Sequence, residues 1–144
     1  MNPTPADPAD PADPGSLTPS PDESEILEIE RRMPRAQDVE SLTAAWAEDI
    51  TYFDFGGQYS DRSAATREIR AQFGRVSDIR TEILDLTVMV NDGLAVAFST
   101  QNFRGDGASG EVTLLFRKTD AYERRDGRWC LVHQHLSVPT DPTR

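Results

Sequence analysis

The chain is poor in cysteine, histidine and positive charge: Cys130 stands alone, and His133 and His135 are the only histidines. A single cysteine excludes an intrachain disulfide and a thiolate zinc cluster. Lys and Arg number 15 against 25 Asp and Glu, a formal net charge of −10. Such a surface repels phosphates, so nucleic acid is not an expected partner. No apolar run is long enough to span a bilayer, so no membrane association is expected. The stretch 105–110 is glycine-rich but joins two predicted strands and opens no helix, so it is a loop and not a phosphate cradle.

What is present is unevenly spread. Residues 1–25 carry Asp7, Asp10, Asp13, Asp22, Glu23 and Glu25, no Lys or Arg, and seven of the ten prolines, with Ala-Asp-Pro repeated three times over 6–14. That composition cannot bury enough apolar surface to offset its ordering entropy, so residues 1–19 read as a disordered acidic tail. The tail lacks the basic and apolar regions of a signal peptide, and a cytoplasmic protein is expected. Residues 20–139 suffice for one modest core, and 140–144 form a short C-terminal tail.

The pattern of residues 20–139 predicts helices first and strands after. Ser20-Pro21-Asp22-Glu23 is a capping box with proline at the first helical position, and Ile26, Ile29 and Met33 form one apolar stripe up to Pro34. Asp38 caps a second helix in which Val39, Leu42 and Trp46 share a face. Residues 50–55 are β-branched and aromatic, which predicts a strand ended by Gly56-Gly57. A third helix starts at about Asp61, with Ala65, Ile69 and Phe73 at helical spacing. Strands are expected at about 79–90, 94–104, 111–123 and 128–138, joined by Asn-Asp-Gly, Gly-Asp-Gly and Arg-Asp-Gly turns. The fold class is therefore α+β, with helices laid on one face of a curved antiparallel sheet.

A three-residue turn at 125–127 sets residue 124 opposite 128 in the last hairpin. Asp120 then faces Val132, Lys118 faces Gln134, and Phe116 faces Leu136. Arg117, Thr119, His133, His135, Ser137 and Trp129 occupy the other face.

Two stretches resemble known families. Ala45-Trp-Ala-Glu-Asp-Ile-Thr-Tyr-Phe-Asp54 is similar to the first strand region of ketosteroid isomerases and SnoaL-like polyketide cyclases. Thr119–Ser137, with its Arg-Asp-Gly-Arg-Trp and His-x-His-x-Ser, resembles the close of the calcium/calmodulin-dependent kinase II association domain. Both families share the cone-shaped, nuclear transport factor 2-like (cystatin-like) fold, and the resemblance covers about 20–139. It implies an oligomer, a cavity between helix and sheet, and no cofactor. It puts Asp54 where the isomerases keep a carboxylate base, and Asp120 where they keep a protonated acid that donates to an oxyanion. Glu30 stands where those enzymes have a tyrosine. The arginines of the kinase domain's ligand pocket are replaced by Asp120 and Leu136.

Each candidate has a plainer alternative. Asp54 is a general base if it enters an apolar pocket, or a strand-end aspartate before the glycine turn. Asp120 is a hydrogen-bond donor to a developing enolate, or one half of a pair with Lys118. Trp46, Tyr52, Tyr59, Phe73, Phe116, Lys118, Tyr122, Gln134 and Leu136 are expected to line the pocket. Cys130 is expected to be a small buried hydrophobe. His133 and His135 share a strand face without patterned further ligands, so no metal site is expected. With Arg117, Thr119 and Ser137 they form a polar cluster suited to a homodimer contact. Two functions stay open. One is a cofactor-independent isomerase, cyclase or dehydratase acting on an apolar or carbonyl-containing small molecule, as in secondary metabolism. The other is a non-catalytic ligand-binding or assembly module.

Overall fold

The computed structural model describes residues 18–140; the expected acidic tail, but for its last residues, and most of the short C-terminal tail lie outside them. Helix α1 (Pro21–Arg32) begins where the capping box requires: the Ser20 hydroxyl accepts from the Glu23 amide and the Glu23 carboxylate from the Ser20 amide. Pro34 then tightens the chain into a single 3-10 turn, Met33–Arg35. Asp38 caps α2 as expected, but α2 is one turn, Val39–Leu42, and Trp46 already opens β1 (Trp46–Phe53). A short strand, β2 (Tyr59–Asp61), which the sequence pattern did not disclose, returns from the glycine turn. Asp61 then caps α3 (Arg62–Arg75). The long strands follow as β3 (Ser77–Asn91), β4 (Leu94–Gly107), β5 (Gly110–Arg125) and β6 (Arg128–Ser137).

The six strands form one sheet in the order β2-β1-β6-β5-β4-β3. The expected antiparallel meander is β3 to β6. β1 joins it alongside β6 in parallel, so the sheet is mixed. The helices cover one face, and the core is built there from Ile26, Ile29 and Met33 against Ile50, Ala97, Tyr122 and Leu131. Bulges in β3 at 77–80 and 83–85 interrupt its pairing with β4, and such irregularities bend a sheet and increase its twist.

The last hairpin has the expected faces but not the expected partners. Arg125 pairs directly with Arg128, because Asp126 and Gly127 both take positive φ (52° and 77°) and close a two-residue turn. That moves the register by one. A bulge at Ala121/Tyr122, opposite Val132, moves it by one more. Asp120 therefore faces Gln134 and Lys118 faces Leu136. Two one-residue shifts cancel in parity, so the alternation between faces survives along 116–120 and 133–137. Trp129, beyond the bulge, is turned to the helix side, where its indole donates to Asp22.

Candidate active site

One row of paired residues crosses the helix-covered face: Val88, Ala97, Asp120, Gln134 and Tyr52. The next row holds Leu86, Ser99, Lys118 and Leu136. Alternation along β5 aims Lys118, Asp120 and Tyr122 inward together. From the opposite side α1 contributes Glu30, which lies on the buried stripe between Ile26 and Met33 and is fully buried.

These side chains form a dry ionic cluster. Lys118, the only lysine of the chain, has its Nζ 3.3 Å from Glu30 Oε1 and 3.2 Å from Asp120 Oδ2. Its remaining polar neighbour is the Met33 sulfur at 3.9 Å. The Tyr122 hydroxyl donates to Glu30 Oε2 at 2.5 Å, and Gln134 Nε2 donates to Asp120 Oδ1 at 2.9 Å. Glu30 Oε1 and Asp120 Oδ2, the oxygens facing Lys118, lack a well-directed hydrogen bond.

Two buried carboxyls and one ammonium cannot all be charged without a net charge in the interior, which is costly. Burial pushes Asp120 well above the usual carboxyl range, Lys118 opposes this, and the neighbouring Glu30 adds to it. Burial acts on Glu30 too, but the Lys118 charge and the hydrogen bonds from its neighbours outweigh it and hold Glu30 below its ordinary value. Burial pulls the Lys118 pKa down; Asp120 and Glu30 outweigh this and raise it above its ordinary value, so the ammonium stays charged. The directions favour Lys118 as the cation, Glu30 as the anion and Asp120 as the carboxyl that holds a proton, a distribution with zero net charge.

Above the cluster lies a largely apolar cavity of about 200 Å³ between the sheet, α3 and the 33–36 turn. Of the residues expected to line it, Tyr52, Phe73, Phe116, Lys118, Gln134 and Leu136 do so. Trp46, Tyr59 and Tyr122 do not. Trp46 packs in the core beside Tyr52 at a ring distance of 5.6 Å. Tyr59 is 59% exposed on the short strand β2. Tyr122 is sealed beneath the cavity by its bond to Glu30. Burial, then Asp120 and Glu30, pushes the Tyr122 phenol far up, so it is a fixed donor.

The structure does not bring Asp54 and Asp120 together on the cavity wall. Asp120 is withdrawn behind Lys118 and Gln134, which are the groups that reach the cavity from the cluster. Asp54 follows the end of β1, where its Oδ1 accepts from the amides of Gly56 and Gln58, each at 2.9 Å. Its neighbour Phe55 lines the cavity and packs edge-on against Phe116 at 5.4 Å. Glu30 was legible as a departure from the isomerase pattern, and its place on an apolar helix stripe was the further signal that it is buried. Phe55, Phe103 and Leu114 also line the cavity; Leu114 continues the inward alternation of Phe116 and Lys118 along β5, and Phe103 is its partner on β4.

The opposite sheet face carries the polar cluster. A second row of paired residues runs Thr87, Phe98, Thr119, His135, Phe53 and Tyr59. Phe53 packs edge-on between His133 and His135, at 5.1 and 5.2 Å. The Thr51 hydroxyl lies 2.6 Å from His133 Nδ1. Burial, then His135, lowers His133 below the ordinary imidazole value. Arg117, Thr119 and Ser137 share this face and are exposed. Cys130 is half-buried rather than buried. Among the described residues no helix is long and apolar enough to cross a membrane.

This architecture is shared with known proteins. The pattern of the SnoaL-like domain matches residues 31–141. A nuclear transport factor 2-like protein of unknown function from Pseudomonas putida KT2440 is similar, at 30% identity over 84% of this chain and 89% of that one, with a TM-score of 0.73. A nuclear transport factor 2-like protein from Streptomyces avermitilis, named as a dehydratase candidate, aligns at 20% identity, covering 84% and 99%, with a TM-score of 0.74. The association domain of C. elegans calcium/calmodulin-dependent kinase II aligns at 19% identity, covering 81% and 95%, with a TM-score of 0.66. The latter two show the fold alone. No curated protein matches the chain. On the family match, the paired sheet rows and the helix-covered cavity, this chain belongs to the SnoaL-like family, with a nuclear transport factor 2-like fold.

Proposed function

We propose that this chain is a cofactor-independent enzyme that moves protons on a small, mostly apolar, carbonyl-bearing molecule, in an isomerisation, cyclisation or dehydration. The observation that carries this reading is the buried Lys118–Glu30–Asp120 cluster set against an apolar cavity. A structural ion pair needs no such cavity, and a plain apolar binding pocket gains little from burying three ionisable groups beside it. Lys118 and Gln134 are aimed at a carbonyl oxygen, where a fixed cation and an amide stabilise charge that develops only as the proton leaves carbon. With Asp120 favouring the protonated form, Glu30 is the one anion beside Lys118, and the ammonium stays charged within the cluster.

Asp54 is proposed as the base. Its Oδ1 is held by two turn amides, which leaves Oδ2 to take a proton from a substrate carbon lying against Phe55. Enone–dienol exchange followed by NMR in deuterated water tests the assignment. Asp54→Asn should lower the rate by about two to four powers of ten, the usual yield of general-base catalysis. An unchanged rate would refute the base, and binding without turnover would then be the function.

A homodimer through the outer sheet face is the proposed assembly. That face presents the half-exposed Phe98 and the exposed Tyr59 beside His135 and Arg117, an aromatic and polar mixture typical of interfaces. Light scattering at tens of micromolar should give twice the 16.0 kDa chain mass.

A further inference from the structure

The way Lys118 spends its donors bears on what can enter the cavity. An ammonium has three N–H groups and accepts nothing. Two face carboxyl oxygens, at 3.3 Å from Glu30 and 3.2 Å from Asp120. The third faces the Met33 sulfur at 3.9 Å, and a thioether is a weak acceptor. Met33 itself lines the cavity. One oxygen arriving beside that sulfur would replace the weak contact and leave both carboxyl contacts in place.

The rest of the wall narrows the choice. Among the described lining residues Lys118 is the only charged one, and its charge is already matched within the cluster. A second negative group would therefore be buried without a free counter-charge, which is costly. Lys118, Gln134 and Gln101 gather most of the strand polarity towards one end, whereas Phe103, Leu114 and Val112 line the other, with Thr81 beside Phe103. On β5 the six residue steps from Lys118 to Val112 span about 20 Å. A volume of about 200 Å³ drawn along such a line is a slot, below the ~300–1,000 Å³ of pockets that take drug-sized ligands.

We infer that the cavity takes an uncharged, slender molecule with one terminal oxygen, enters it oxygen first beside Met33, and rejects carboxylates and tetracyclic skeletons. This rests on the reading of the cavity as the ligand site, but it concerns binding and not turnover.

The experiment is calorimetric titration of the full chain at pH 7.5 with 2-acetylnaphthalene, naphthalene, 2-naphthoate and a tetracyclic steroid enone. The ketone should bind at least tenfold more tightly than naphthalene and at least tenfold more tightly than naphthoate, and the steroid should not bind. The ketone carbon, labelled with 13C, should move downfield on binding as its oxygen meets the ammonium. In Lys118→Met, the preference for the ketone over naphthalene should vanish. The wild-type titrations and the carbon shift decide the matter even if that variant fails to fold. Equal or tighter binding of naphthoate, tight binding of the steroid, or an unmoved carbonyl resonance would overturn the inference. Loss of exchange activity with this binding order intact would instead refute the proposed chemistry alone.

Discussion

Removing the single cation tests whether the cluster is coupled as described. Lys118→Met keeps most of the volume and deletes the charge. Glu30 and Asp120 are then left facing one another without a counter-ion, both fully buried. Breaking a buried ion pair by taking away one partner costs about 3–5 kcal/mol. For a domain of this size that corresponds to a melting point lowered by roughly 10 °C or more. The sign of the pH dependence follows from the same geometry. Without Lys118, Glu30 loses the interaction that holds it below its ordinary value and joins Asp120 in favouring the protonated form. A group whose folded pKa is raised contributes stability below its unfolded pKa and loses it as pH rises. The variant should therefore be penalised most at pH 7.5, and its gap from wild type should narrow towards pH 5. Urea melts at the two pH values measure this. The double variant Lys118→Met/Glu30→Gln, which removes both charges and keeps an acceptor for Tyr122, should recover at least half of the loss. A single variant within about 1 kcal/mol of wild type at pH 7.5, or a gap that widens on acidification, would refute the coupled-cluster argument.

Further expectations follow from individual contacts. Asp120→Asn mimics the protonated acid, and the raised pKa of Asp120 costs stability as pH rises above the ordinary carboxyl range. The variant should therefore compare better with wild type at pH 7.5 than at pH 5 in urea melts, while its exchange activity falls. Asp54→Ala should lose about 1 kcal/mol in the same melts, because the Gly56 and Gln58 amides lose their acceptor, whereas Asp54→Asn should lose less. Ile26→Ala, at a side chain with no exposed surface, should cost about 2–5 kcal/mol of stability and leave a cavity under α1. Dimer dissociation, followed by light scattering, should become easier as pH falls below the already lowered value of His133.

Local chemistry in the sequence was enough to determine the caps, the turns and the alternation of faces. Ser20, Asp38 and Asp61 each start a helix because a side-chain oxygen satisfies amides three residues on, a contact within one turn. Lys118, Asp120, Gln134 and Leu136 share a face because strand period is two, and that survived a register error of two residues. The parallel closure of β1 on β6 was not legible, because it depends on residues more than 80 positions apart. Nor was the bulge opposite Val132, since an extra residue in one strand has no composition of its own. The contacts that Asp54 and Asp120 make were decided only by the tertiary structure. Asp54 is a turn-capping aspartate with one oxygen to spare, and Asp120 is a partner of Lys118 as well as a buried acid. What the sequence could not show is that α1, packed over β3 and β4, brings the Glu30 side chain onto the same ammonium. A pKa is set by every charge within a few ångströms in a dry interior, and chain order does not say which those are.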